Sequence, residues 1–498
     1  MDPCRVQKHY AMFFTAINIQ QFMPVQQPTT TASTIGTQRQ SQIVSVTKEA
    51  TMKAEILWSL KVTQSHYSFH SSEQTRQLFS AMFPDSEIAK NFSCGQTKCA
   101  YICTYGLAPH FKSLLTNKLK SGDENYVLLF DESLNRMTQS KQCDFHVRFW
   151  NGDQVQTQFF DIEFMGHARA DDLKLAFEKG TEALPKKNML QISMDGPNVN
   201  WSFYKKVEQS LADEYGSNLL NLGSCGLHIV NGAFQKGLSS TGWRIDGFLR
   251  AIYQLLHDCP ARREEYLKVT ETQDGLLPLS FCPTRWVENT PVLERALQIL
   301  PNLATYVSAV GGKRTPNPDT KSFDEVCQSL KNPLLEAQIN FALSVSKSVT
   351  PFLTKYQTDK PMVPFLAADL HKMLKNLMCR FIKPEVMQEA KSVKKLLDVD
   401  IKLPTNYIDC SSVDLGYVTN RILKELRAKQ NVGASTIMDF RRSCRDGLVA
   451  MVDKLQQKSP LKYILVKNMG FLDPVNMANE ETDQLKGMLR RTLAYLVD

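Results

Sequence analysis

The sequence lacks any apolar run approaching the roughly 20 residues that a helix needs to span a bilayer, so no membrane partner is expected. It also lacks a regular cysteine pattern. Its 12 cysteines are scattered from Cys4 to Cys444 without repeated spacing, which excludes a disulfide framework and predicts free thiols in a reducing compartment. No zinc quartet is legible: Cys94, Cys99 and Cys103 have no following histidine pair and read as buried thiols. The apolar stretch Ala11–Ile19, after Arg5 and Lys8, is short, broken by Thr15 and Asn18, and has no cleavage pattern, which argues against secretion. Neither charge sign dominates. The 59 basic and 51 acidic residues are interspersed and leave a net charge of +8, which permits nucleic-acid binding without demonstrating it, and no dense Lys/Arg cluster marks an import signal. Self-similarity over 20 to 50 residues is missing as well, which excludes a solenoid.

What is present is enough for a packed protein of several domains: 498 residues, 43% of them hydrophobic. Residues 1–46, with the Gln-, Thr- and Ser-rich run QQPTTTASTIGTQRQSQ, read as a tail or linker. Over 47–122 the pattern turns helical, with Ala54, Ile56, Leu57, Leu60 and Val62 at helix-like spacing. Between residues 123 and 240 the texture changes. NYVLLFDESLN, QCDFHVRFW and QVQTQFFDIEFM are short, aromatic and β-branched, and the Asn151-Gly152 turn between the last two predicts antiparallel pairing. A helix (ADDLKLAFEKGTEAL), the apolar run MLQISMD, a second helix (WSFYKKVEQSLADEYG) and a strand-like LLNLG follow, giving the order β-β-β-α-β-α-β. Residues 241–498 are mostly helical. The expected fold is therefore α/β, with a mixed sheet preceded by a small helical region and followed by a large all-α part.

Two acids end apolar runs: Asp131 closes YVLLFD and Asp195 closes QISMDG, 64 positions later. In this strand order the first and fourth strands can lie side by side, bringing the carboxylates together as a pair able to hold divalent cations such as Mg²⁺ or Mn²⁺ for phosphodiester chemistry. An Asp after a strand, and Asp195-Gly196 in particular, is equally an ordinary turn. Cys225 and His228 then stand three apart at a helix start, too few for a closed zinc site; the imidazole reads either as a packed, hydrogen-bonded side chain or as a phosphate contact.

The blocks FDES, SMDG, CGLH and CPTRWVENTPVLERA, in this order, resemble the successive core blocks of hAT-family DNA transposases, and the similarity runs from about residue 47 to the end. The stretch MFPDSEIAKNFSCGQTKCAYICTYGLAPHF is also similar to the pre-core sequence of cellular hAT-like proteins. The resemblance implies an RNase H-like core interrupted by a helical insertion. It makes Asp131 and Asp195 the first two catalytic carboxylates, with Mg²⁺ or Mn²⁺ as cofactor if the site is active. Cys225 and His228 match the family's CxxH block, and Arg285 and Trp286 its Arg-Trp block, a DNA contact. The Trp286 ring could stack on an unpaired base or pack in the core beside Leu293 and Leu297.

The resemblance further implies DNA as partner and the nucleus as location. The family's third catalytic acid, a Glu after the insertion, and its dimerisation segment are not visible, so the chain reads as truncated and self-association is left open. Glu480-Glu481 in NMANEETDQLKGML does not match that Glu and reads as a solvated helix start. The expectation is a transposase-derived DNA-binding protein without catalysis. An active metal-dependent nuclease or strand transferase, and a protein-interaction scaffold that ignores nucleic acid, stand as alternatives.

Overall fold

The computed structural model describes residues 38–121, 124–271 and 275–497, so the run Ala11–Ile19 and most of the polar tail lie outside the described residues. The chain divides into two compact units, Met1–Leu220 and Asn221–Asp498.

The first unit begins with α1 (Gln38–Gln64), which starts inside the segment expected as linker, followed by α2 (Thr75–Met82), α3 (Glu87–Asn91), α4 (Gln96–Tyr101), a π-helical turn (Ile102–Leu107) and α5 (Ala108–Ser121). Their small core comprises Leu60, Val62, Phe69, Phe92, Leu107 and the thiols of Cys94, Cys99 and Cys103. The buried line of α1 is more polar than its periodicity suggests. Thr51, Glu55, Ser59, Val62 and Thr63 face inward, while Ile56 and Leu57 are half-buried. Glu55 tolerates this because its carboxylate accepts from the Ser93 backbone N–H at 2.8 Å and pairs with Lys98 at 2.6 Å.

The three strands expected from the short aromatic and β-branched runs form as β1 (Tyr126–Asn135), β2 (Ser140–Trp150) and β3 (Val155–Met165), and Asp131, expected to close its strand, lies inside β1 because the ladder with β2 continues to Asn135. The four-residue β2–β3 turn needs only Gly152 at positive φ, +106°. The side-chain oxygen of Asn151 accepts from the backbone of Asp153 and Gln154, fixing the rest. Helix α6 (Ala170–Gly180) opens with Asp171 and Asp172 in its first turn, where acids complement the macrodipole. It leads to β4 (Met189–Ser193), and α7 (Asn198–Tyr215) then ends on Gly216 in the left-handed region.

The sheet order is β3-β2-β1-β4, with β1 antiparallel to β2 and parallel to β4. One face, carrying Tyr126, Leu128, Phe130, Phe145, Val147 and Ile192, packs with Phe177 of α6 and Phe203 of α7, whose rings meet edge to face at 5.8 Å. The fifth strand expected at LLNLG does not form. A single bond, Leu220 N–H to Leu190 C=O at 2.8 Å, is its only trace, because the chain beside β4 turns away after one residue.

The second unit is helical: α8 (Gly226–Ser240), α9 (Ile245–Leu256), α10 (Pro260–Thr270), α11 (Thr290–Gly311), α12 (Lys321–Leu330), α13 (Leu335–Tyr356), α14 (Val363–Met378), α15 (Pro384–Glu389), α16 (Val393–Asp398), α17 (Tyr417–Ala428), α18 (Ala434–Lys458), α19 (Ile464–Asn468), α20 (Pro474–Asn479) and α21 (Thr482–Val497). One continuous hydrophobic core runs from Ile229 to Leu461. Among the described residues no helix is long and apolar enough to cross a membrane, and none of the 11 described cysteines is in a disulfide.

Candidate functional site

The β1–β4 ladder pairs Val127 with Gln191 and Leu129 with Ser193 on the face opposite the core, and Leu128 with Ile192 on the packed face. Asp131 and Asp195 each stand two residues beyond the last of these pairs, Asp131 still within β1 and Asp195 past the end of β4 at Ser193. Neighbouring strands lie about 4.8 Å apart, so the pairing brings the two segments close to one another. The carboxylate of Asp131 is exposed and that of Asp195 half-buried. Asn200 of α7 donates from its side-chain amide to the Asp195 carbonyl at 3.4 Å, tying the end of β4 to the helix that follows.

On the other side of β1, Asp131 is directly opposite Asp144 of β2. The row Asp144–Asp131–Asp195 therefore runs from β2 across β1 to the segment that follows β4. Asp144 was missed in the sequence because it lies between Cys143 and Phe145, inside what reads as an apolar run. It is 9% exposed, and both its oxygens accept from the Gln142 side-chain amide, at 2.9 and 3.0 Å. His146, two residues on and on the same face, packs edge to face on Phe159 at 5.4 Å. Burial pushes its pKa below the ordinary value, against the opposing pull of Asp144 and Asp131.

In the second unit, Cys225 is the N-cap of α8 and His228 lies in its first turn, as the sequence predicts. Burial pushes the Cys225 thiol up, but hydrogen bonds from the His228 side chain and from the backbone N–H groups of His228 and Leu227 outweigh it. The pKa ends below the ordinary thiol value. One turn on, Asn231 joins this helix to the Arg-Trp loop: its side-chain oxygen accepts from Val287 N–H at 2.9 Å and its amide donates to Leu227 C=O at 3.0 Å.

The loop itself is wound around Asn289. Its side-chain oxygen accepts from Cys282 N–H at 2.7 Å, and its amide group lies within bonding distance of the carbonyls of Cys282, Trp286 and Arg285. Neither asparagine stands out in sequence, since their value lies in partners 56 and 7 residues away. Arg285 is exposed and pairs with Glu288 at 3.4 Å. Trp286 is 8% exposed and meets Phe281 edge to face at 5.2 Å, the geometry of a packed ring rather than one open to a base. Its indole N–H has no partner among the described residues. Glu480 caps the C-terminus of α20 and Glu481 precedes α21, both exposed.

Comparison with protein-family models and with curated proteins finds nothing that matches this chain.

Proposed function

We propose that this chain is a transposase-derived, DNA-binding protein of hAT type, in which an RNase H-like core has kept its first two acidic positions and lost catalysis. The observation that carries the reading is the strand order β3-β2-β1-β4 with β1 parallel to β4, combined with Asp131 and Asp195 at the same two-residue offset beyond the paired Leu129 and Ser193. Carboxylates set near one another by a parallel strand pair are a poor choice for stability and a usual one for holding hard cations. Asp131 and Asp195 are the residues that would hold Mg²⁺ or Mn²⁺. Their donors are all oxygen, with Asp131 exposed and Asp195 half-buried, which fits such an ion. When bound, the ion supplies Lewis-acid stabilisation of phosphodiester oxygens. The residues themselves would position it, and Arg285 offers an exposed guanidinium for a phosphate. Nuclear location belongs to the same proposal.

The test is DNA binding by the full chain as a function of salt. Affinity that falls steeply with ionic strength and shows little sequence preference supports the reading. Binding that is undetectable at low salt, or insensitive to it, sinks it.

One observation favours a second reading, an active nuclease: Asp144 supplies a third carboxylate in the same row. Mg²⁺- or Mn²⁺-dependent cleavage of DNA that disappears in Asp131→Asn, Asp195→Asn and Asp144→Asn supports it. Cleavage surviving all three substitutions rules this site out. The engagement of both Asp144 oxygens by Gln142 is why catalysis is not the first reading.

A further inference from the structure

Helices α8 and α18 cross more closely than side chains ordinarily allow. A Cβ on Gly237 would stand 2.8 Å from the Gly447 carbonyl oxygen and 2.9 Å from the Met451 Cβ. The same approach brings Lys454 of α18 over Gly232 of α8, where its ammonium donates to the Gly232 carbonyl at 3.0 Å. Lys236 is one turn beyond Gly232 on the same face of α8, and Lys458 one turn beyond Lys454 on α18. Three cations thus gather along one crossing.

No acid balances them. Helix α8 contains no Asp or Glu. The three acids of α18 are all engaged elsewhere: Asp439 with Arg442 at 2.6 Å, Asp446 with Arg445 at 3.1 Å and Asp453 with Lys402 at 3.0 Å. Among the described residues no carboxylate pairs with Lys236, Lys454 or Lys458. Burial, and then the charges of Lys236 and Lys458, hold the Lys454 ammonium below its ordinary pKa, so the arrangement carries unrelieved repulsion. Lys454 keeps two of its three donors after bonding to Gly232.

We infer that Lys236, Lys454 and Lys458 form a binding site for phosphate groups, with the ammonium of Lys454 at its centre. The ligand chemistry is a phosphate oxyanion, borne either by a free polyphosphate or by a nucleic-acid backbone. The inference does not depend on the acidic row of the first unit and stands or falls separately from it.

The experiment titrates the full chain with inorganic pyrophosphate and, in parallel, with a short DNA duplex at several salt concentrations. Wild type is compared with the double variant Lys236→Gln/Lys458→Gln and with a control, Lys120→Gln, on the exposed end of α5. The double variant keeps the Lys454 bond to Gly232 and is expected to fold, while Lys454→Gln tests the centre. Pyrophosphate affinity should fall by about tenfold in the double variant, as two partly screened charge contacts imply. For DNA, the slope of log affinity against log salt should flatten by about 1.8, roughly 0.9 for each lost phosphate contact.

Loss with both probes supports a site that takes phosphate from either carrier. Loss with pyrophosphate alone assigns it to free anions, and loss with DNA alone to the backbone. If neither probe binds wild type, if neither distinguishes the double variant, or if Lys120→Gln causes the same loss, the inference is overturned. A wild type that binds pyrophosphate and not DNA would retain the site and refute only the DNA-binding reading.

Discussion

Alanine at Gly237 is the most direct probe of the α8–α18 crossing. The two atoms that a methyl group would meet, the Gly447 carbonyl oxygen at 2.8 Å and the Met451 Cβ at 2.9 Å, belong to backbone or branch directly from it, so neither can swing aside. Reaching ordinary contact at 3.4 Å requires the helices to separate by about 0.6 Å, and such overpacking costs about 1–3 kcal/mol. With two immovable contacts the upper end applies. Replacing Gly by Ala in a helix interior returns about 1 kcal/mol, leaving a net loss of about 2 kcal/mol. Gly487→Ala in α21 is the matched control: its nearest neighbour is the flexible end of Arg491 at 3.4 Å, so the gain of about 1 kcal/mol should be kept. Urea unfolding followed by Trp243 fluorescence reads the relevant region, because that indole stacks on Phe440 of α18 at 5.0 Å. With a slope of about 1–3 kcal/mol per molar urea, the Gly237→Ala midpoint should fall by about 1 M and the Gly487→Ala midpoint should rise. A Gly237→Ala midpoint that rises alongside the control would show that the two helices do not meet at this point.

Other expectations follow from the same packing. Cys225 should alkylate with iodoacetamide faster at neutral pH than Cys444, whose thiol burial pushes well up, and His228→Ala should slow it; equal rates read by mass spectrometry would contradict the helix-terminus account. Asn289→Ala leaves the Cys282 N–H and the loop carbonyls without their partner and should cost about 2 kcal/mol, with acrylamide quenching of Trp286 increased; unchanged quenching would show that the loop holds itself. His146, with its folded pKa depressed by burial, binds fewer protons than in the unfolded chain. Stability should therefore be complete above the ordinary 6.5 and decline as pH falls below it, toward the depressed folded value. His146→Phe should flatten that decline, and a pH profile unchanged by the substitution would remove His146 as its source.

The parts of the fold legible in sequence were those set by local periodicity. The aromatic and β-branched runs NYVLLFDESLN, QCDFHVRFW and QVQTQFFDIEFM correspond to the three antiparallel strands, and WSFYKKVEQSLADEYG to a helix that ends on Gly216 at +64°. The missing fifth strand shows where this fails, since Leu219 and Leu220 have strand-like side chains but only one ladder bond to hold them. Helix α1 fails in the opposite sense. Its buried line, Thr51–Glu55–Ser59, is set by what it meets rather than by hydrophobicity: the Ser59 hydroxyl is 3.7 Å from the Cys94 sulfur, and Glu55 is held by Ser93 and Lys98. The candidate acids divide along the same line. Asp131 and Asp195 could be found because each follows an apolar run, where a charged residue stands out, although β1 continues past Asp131 to Asn135 and β4 ends at Ser193, before Asp195. Asp144 could not, because it is flanked by Cys143 and Phe145 and is recognisable only through its neighbours, Gln142 beside it and Asp131 across the ladder. The register decides how the row is to be read. An acid facing another acid across a ladder destabilises the sheet unless something offsets it, and Gln142 offsets the charge of Asp144 by direct hydrogen bonds. Substitution of Asp131, which faces Asp144 across the ladder, tests whether the row holds an ion. Asp131→Asn raises the urea midpoint in the absence of divalent ions if repulsion dominates, and Mg²⁺ then stabilises wild type and not the variant. Equal stabilisation of both by Mg²⁺ would show that Asp131 holds no ion.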